Sequence, residues 1–141
     1  MNMDRKEFLI NLGKGTASVC LACFLASCTN NNNSITAPPT NVDFTLDISQ
    51  SPYTALSNVG GAIYKDGIII ARVSQTSFAA VSQYCTHQGN TVQYESNSHI
   101  FHCPAHGSNF NTDGSVINGP AGRALAKYNT SLNGTSLRVY S

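Results

Sequence analysis

Two short stretches decide how this chain folds and what it binds: CTHQG at 85–89 and CPAHGS at 103–108. Each contains one thiol and one imidazole, followed by a glycine that lets the backbone turn closely. Together they supply two sulfur and two nitrogen ligands, which is enough for one metal centre. Such a set is typical of a tetrahedral zinc site, or of a two-iron cluster with sulfur ligands on one iron and nitrogen ligands on the other.

Two simpler interpretations of these residues are a zinc finger and a disulfide. Zinc fingers usually place a cysteine pair before a histidine pair, whereas each half is mixed here. A disulfide between Cys85 and Cys103 would suit an exported protein. It would leave His87 and His106 unexplained, so a metal centre is the better interpretation.

The first 27 residues have the features of an export signal. Basic residues are followed by a small and apolar run at 15–27, which is shorter than the roughly 20 residues of a membrane-spanning helix. LASC at 25–28 resembles a bacterial lipobox, which predicts a lipoprotein signal at 1–27 and a lipid-bearing Cys28. RKEFL at 5–9 resembles a twin-arginine motif with lysine as its second basic residue, so both the twin-arginine and the Sec route remain open. We expect a lipid-anchored protein of the bacterial cell envelope, on the periplasmic side or the outer surface.

The remaining chain divides into a tether and one domain. Residues 28–42 are predicted to be the lipidated cysteine and a disordered tether, because 29–41 is polar, low in complexity and contains two prolines. Residues 43–141 form the domain, whose five acidic and five basic residues leave no basic patch. This balance argues against a nucleic-acid partner. No substrate pocket, catalytic triad or nucleotide loop is recognisable, so we expect no small-molecule substrate and no enzymatic activity of the chain alone.

The domain has a β pattern throughout. Apolar and polar residues alternate at 44–48, and Asp66-Gly67 separates two apolar runs as in a β-hairpin. No stretch has a helical stripe, so the sequence predicts an all-β domain of short strands. We expect His99 and His102 to be ordinary strand residues, because neighbouring strand residues point to opposite faces. Further strands are predicted at 78–84, 91–95, 99–102, 109–111, 115–117, 124–129 and 136–140.

The two ligand stretches, followed by GPA at 119–121, resemble the Rieske [2Fe–2S] proteins over roughly 43–141. The resemblance implies short antiparallel strands in stacked sheets, with a small cluster-binding subdomain. It also implies that 119–121 is the family's proline loop, which covers the cluster from a third side.

The resemblance further implies a ligand set for one [2Fe–2S] cluster. Cys85 and Cys103 would hold the inner iron, and His87 and His106 the outer, solvent-facing iron. Neutral imidazoles make such a cluster easier to reduce, with potentials of about −150 to +300 mV against about −400 mV for all-cysteine clusters.

Three positions depart from the high-potential members found in respiratory cytochrome bc complexes. Asn90 and Ala105 stand where those members have two loop cysteines joined as a disulfide. Phe110 replaces a tyrosine whose hydroxyl would donate to a ligand sulfur. Ser108 is kept, and we expect its hydroxyl to donate to a bridging sulfide. The sequence therefore predicts a potential below that of those members.

These features together predict a one-electron carrier, anchored to a membrane outside the cytoplasm, with redox proteins as donor and acceptor. Electrons would pass through the exposed edge formed by His87 and His106. One alternative is a small electron-transfer subunit, either of an exported oxidoreductase such as an arsenite-oxidase-like enzyme or of a cytochrome bc complex. The bc role is less favoured, because a spanning helix and the loop disulfide are not recognisable. An alternative of another class is a zinc-binding or metal-free β interaction module.

Overall fold

The computed structural model describes residues 36–141. The predicted signal at 1–27, the lipidation at Cys28 and the tether up to residue 35 lie outside the described residues. The part described is built of β-strands and one short 3-10 turn, which confirms the all-β prediction. Its elements are β1 Asp43–Asp47, a 3-10 turn Thr54–Ser57, β2 Ala62–Lys65, β3 Ile68–Arg72, β4 Phe78–Ser82, β5 Gln93–Glu95, β6 Ile100–Cys103, β7 Ser108–Asn111, β8 Val116–Asn118, β9 Lys127–Asn133 and β10 Ser136–Tyr140.

Six of the strands form one antiparallel sheet in the order β1-β10-β9-β4-β3-β2. Its two edge strands approach each other, since the Nζ of Lys65 in β2 lies 5.2 Å from the centre of the Phe44 ring in β1. The sheet is therefore strongly curled. Among residues 36–141, no helix is long and apolar enough to cross a bilayer.

The central strands β3 and β4 are buried on both faces. Ile69 and Val81 point into one apolar core, while Ile68 and Ile70 point into the other. A strand covered on both sides needs apolar residues at consecutive positions, which explains the run of three isoleucines in β3.

The second sheet contains β5-β6-β7-β8 and is inserted between β4 and β9. Phe101 and Phe110 face each other across β6 and β7 and are fully buried. They share a core with Cys85, Cys103 and Ile69, so this small sheet packs against the centre of the large one. It corresponds to the predicted cluster-binding subdomain.

One local prediction from the sequence is confirmed and two are wrong. Asp66 and Gly67 have φ of 49° and 81°, as a two-residue hairpin turn requires. His99 was predicted to lie in a strand, but it lies in the turn before β6 with φ of 54°. The strand predicted at 124–129 instead spans Lys127–Asn133, because the N–H of Leu125 bonds to the Gly114 carbonyl of another loop.

Residues 36–41, here called the N-terminal strap, belong to the segment predicted as a tether. In the structure they lie along the domain rather than away from it. The carbonyl oxygen of Pro39 accepts a hydrogen bond of 2.8 Å from the Tyr128 hydroxyl. The polar composition of this segment gives no indication of that contact.

Candidate metal centre

The four candidate ligands lie on two loops that close in the same way. The first metal loop, residues 85–90, follows β4, and the second metal loop, residues 103–108, joins β6 to β7. In each, a glycine N–H donates to the carbonyl oxygen of the cysteine four residues earlier, at 2.7 Å for Gly89 and 2.9 Å for Gly107. Both glycines have φ near +75°, a conformation that other residues adopt at a cost.

A third loop, residues 119–124, contains the predicted proline loop at 119–121 and packs against the second metal loop. Ser108 is fully buried, and its Oγ accepts a hydrogen bond of 3.1 Å from the N–H of Ala121. Gly119 has φ of +108°, and a Cβ there would lie 2.4 Å from the Ser108 Cα. Only glycine fits at this position, so the predicted proline loop is held directly against the metal centre.

The first metal loop is tied to the same region by a contact that sequence reasoning missed. The Thr86 hydroxyl donates to the carbonyl oxygen of Arg123 at 2.6 Å. A threonine between two candidate ligands carries no sequence pattern that would reveal a partner 37 residues away. The three loops therefore form one connected unit.

The two thiols are buried and close together. Cys85 and Cys103 are each 1% exposed, and no disulfide joins them. Burial raises the pKa of the Cys85 thiol, and the neighbouring Cys103 thiol raises it further. A backbone hydrogen bond from His87 and a hydrogen bond from the Ser108 hydroxyl lower it in part. This environment favours the neutral form of the Cys85 thiol, which a bound cation would convert to a thiolate.

The two imidazoles lie at the surface, with His87 half-buried and His106 exposed. Their Nδ1 atoms are 3.3 Å apart, and the rings are nearly perpendicular at 88°. Two nitrogen ligands at about 2.0–2.1 Å from one tetrahedral ion lie about 3.3–3.4 Å apart. The spacing of these atoms therefore fits a single metal ion held between the two rings.

The donors do not converge on one point. In the described part of the chain, no three His, Cys, Asp or Glu side chains are grouped to hold a single ion. A structural zinc site needs four ligands around one ion. A pair of buried thiols beside a pair of imidazoles at the surface instead fits a centre with two metal ions, as a [2Fe–2S] cluster has.

The other two histidines of the domain lie outside this group. His102 makes a hydrogen bond of 2.7 Å to the amide oxygen of Asn109, whose nitrogen donates to Asn118. His99 contacts the Tyr94 hydroxyl through its Nδ1 atom. Each of the two has a polar partner away from the four candidate ligands.

Comparison with known proteins agrees with this centre. The family model of the Rieske [2Fe–2S] domain matches residues 46–129. The cytochrome b6-f complex iron-sulfur subunit of Chlorobaculum tepidum is 27% identical over 130 residues, which cover 91% of this chain and 70% of that protein. The corresponding subunit of Prochlorococcus marinus is 37% identical over 59 residues, or 42% of this chain and 33% of the relative.

Solved structures show the same fold. The plasma membrane Rieske protein PetC3 of Synechocystis PCC 6803 matches with a TM-score of 0.53 and 25% identity, over 73% of this chain and all of that one. The ferredoxin of carbazole 1,9a-dioxygenase from Nocardioides aromaticivorans IC177 has a TM-score of 0.51 and 24% identity, over 74% of this chain and 98% of its own. The family binds a [2Fe–2S] cluster and transfers electrons. On its sequence match, its fold and its paired donors, this chain belongs to the Rieske [2Fe–2S] domain family.

Proposed function

We propose that this chain is a one-electron carrier tethered to a membrane of the bacterial cell envelope. Cys85 and Cys103 would hold the inner iron of the [2Fe–2S] cluster, and His87 and His106 the outer iron. The observation that carries this assignment is the 3.3 Å separation of the two Nδ1 atoms beside a pair of buried thiols. When bound, the cluster supplies a centre that accepts and releases single electrons.

The residues around the cluster would divide its environment into two sides. The buried thiols and the aromatic pair Phe101 and Phe110 keep water from the sulfur side. The exposed imidazole of His106 and the half-buried one of His87 form the side that a redox partner can approach. Because the two Nδ1 atoms face each other, each ring keeps its Nε2 atom for contact with solvent or partner. Electron donor and acceptor proteins would therefore use this edge.

The ligand set can be tested with single substitutions and a matched histidine control. Cys85→Ala and His106→Ala should abolish the visible absorption of the cluster and the rhombic electron paramagnetic resonance (EPR) signal of its reduced form. His102→Ala, next to Cys103 but bonded to Asn109, should keep both. A colourless wild-type protein with one zinc would instead support the interaction module. Full iron content in Cys85→Ala would show that the ligands are other residues.

Membrane attachment is proposed from the lipobox-like LASC at 25–28. Two or more acyl chains on Cys28 would give stable anchoring, which a single chain does not. The expected result is a wild-type protein in the membrane fraction with the mass of a lipid-modified cysteine, and a Cys28→Ala variant released from it. Equal membrane association of both would contradict the anchor.

A second candidate function is that of a subunit in a larger electron-transfer complex. It is favoured by relatives named as iron-sulfur subunits of cytochrome b6-f complexes, one of them aligned over most of this chain. An exported oxidoreductase is the other setting predicted from the sequence. Purification in mild detergent from the native host distinguishes these roles, since a complex subunit should co-purify with haem proteins or an oxidoreductase at fixed stoichiometry. A free carrier should elute alone.

A further inference from the structure

The N-terminal strap begins beside the metal centre. Thr36 and Pro38 line a surface cavity together with Thr86 and Arg123. Thr86 stands between the proposed ligands Cys85 and His87 in the first metal loop. The chain therefore enters the domain next to the loops that carry the proposed ligands.

Close contacts hold the middle of the strap. The buried Tyr128 donates its hydroxyl hydrogen to the Pro39 carbonyl at 2.8 Å. The Pro39 ring also lies over the hairpin turn at Gly67, where an added Cβ would be 2.9 Å from Pro39 Cγ. The missing side chain of Gly67 thus makes room for the strap.

The strap is also stiff and is fastened where it joins β1. Consecutive prolines at 38 and 39 have restricted φ angles and favour an extended conformation. The N–H of Val42 bonds to Ser141 Oγ at 3.1 Å, and the Ser141 N–H bonds to the Val42 carbonyl at 2.9 Å. The N-terminal strap together with Val42, residues 36–42, can therefore act as a rigid arm.

We propose that this arm holds the metal-centre face of the domain toward the membrane surface. The inference rests on the proposed lipid attachment at Cys28. The link from Cys28 to Thr36 reaches at most about 28 Å when extended and about 15 Å as a flexible coil. A link that short keeps the start of the strap, and the metal centre beside it, near the bilayer.

The charge of the metal-centre face suits this orientation. The three loops at 85–90, 103–108 and 119–124 contain no acidic residue, and apart from the histidines their one ionisable cation is Arg123. Anionic lipid headgroups attract basic residues and repel carboxylates near the surface. These loops therefore bring no carboxylate against an anionic bilayer.

The arm can be tested with the full-length, lipid-bearing protein in phosphatidylethanolamine–phosphatidylglycerol vesicles that contain a gadolinium-chelate lipid. Gadolinium at the surface speeds the spin relaxation of a nearby reduced cluster, which raises the microwave power needed to saturate its EPR signal. For the wild-type protein we expect a several-fold rise in this saturating microwave power. Tyr128→Phe combined with Pro38→Gly and Pro39→Gly should lose most of that rise, because the strap is released.

Tyr64→Phe is the matched control, since the Tyr64 hydroxyl donates to the Val92 carbonyl and not to the strap. It should keep the wild-type relaxation, and all variants should keep the wild-type midpoint potential. A vesicle-bound wild-type protein with no enhancement would overturn the orientation and leave the lipid anchor standing. A strap variant with full enhancement would overturn the role of the arm. A protein that does not float with vesicles would overturn the anchor and the arm together, and a missing EPR signal would overturn the ligand set.

Discussion

The first metal loop at 85–90 and the second at 103–108 share one backbone plan, with a glycine N–H bonded to the cysteine carbonyl four residues before it. They differ in how the rest of the domain holds them. The second loop ends at the fully buried Ser108, with the Gly119 backbone pressed against it. The first loop is held to the same region by the half-buried Thr86 and its one side-chain hydrogen bond to Arg123.

This difference shows that equal ligand chemistry does not imply equal support. A buried steric contact cannot be replaced by water, whereas a partly exposed hydrogen bond can. Substitutions at the support of the second loop should therefore have larger effects than substitutions at the support of the first.

Gly119→Ala should have the largest effect. The new Cβ would lie 2.4 Å from the Ser108 Cα, and φ of +108° is unfavourable for alanine. We expect a loss of at least about 3 kcal/mol in the free energy of unfolding, together with loss of cluster on purification. Iron content and chemical denaturation measure both effects.

Gly122→Ala is the control for this change. A Cβ at Gly122 meets no atom within 4 Å, and its backbone is not in the left-handed region. It should purify with a full cluster and wild-type stability. Equal damage from both substitutions would show that the close packing at Gly119 is not what matters.

Ser108→Ala should lower the reduction potential. We expect the Ser108 hydroxyl to donate to a bridging sulfide of the cluster, and such a donor stabilises the more negative reduced state. A hydrogen bond to a charged group is worth about 1.5–3 kcal/mol, so the fall should be at most about 65–130 mV for one electron. Voltammetry measures it. Ser115→Ala, whose hydroxyl bonds to Asp113, should leave the potential unchanged, and a flat result at Ser108 would refute the donor role.

Phe110→Tyr should raise the reduction potential, and by less than Ser108→Ala lowers it. The new hydroxyl can donate to a ligand sulfur only from a fully buried site packed against Phe101. We expect a rise of tens of millivolts, roughly below 50 mV, because part of the hydrogen-bond energy is spent on burying a polar group. Phe101→Tyr is the control, because it buries a hydroxyl on the neighbouring strand β6. If it raises the potential as much as Phe110→Tyr does, the rise comes from burying a polar group and not from donation to sulfur.

The sequence was sufficient for those parts of the molecule that depend on near neighbours. Alternation at 44–48 and the Asp66-Gly67 turn predicted β1 and the β2–β3 hairpin, because side-chain period and turn conformation are local properties. The candidate ligands were found through their spacing and the glycines after them. The structure places the two thiols beside each other and the two imidazoles beside each other, while their bonds to iron stay a prediction.

Two contacts that sequence reasoning missed depend on distant partners. The Thr86 hydroxyl bonds to a carbonyl 37 residues away, and the Pro39 carbonyl accepts from a tyrosine 89 residues away. Neither residue belongs to a local pattern, and the strap has the polar composition of a linker. Composition predicts whether a segment can form its own core, but not whether a neighbouring domain offers it a single hydrogen bond.

Thr86→Val should have the smallest effect and bears most directly on the comparison of the two loops. Valine keeps the shape of threonine and removes the hydrogen bond to Arg123, which should cost about 1 kcal/mol in the free energy of unfolding. The midpoint potential should not change, because the Thr86 hydroxyl donates to a backbone carbonyl and not to sulfur. Thr86→Ser keeps the hydroxyl and should match the wild-type protein. Loss of the cluster in Thr86→Val, as is expected for Gly119→Ala, would contradict this. The first loop would then depend on its side-chain hydrogen bond as strongly as the second depends on packing, and the proposed difference in support would be wrong.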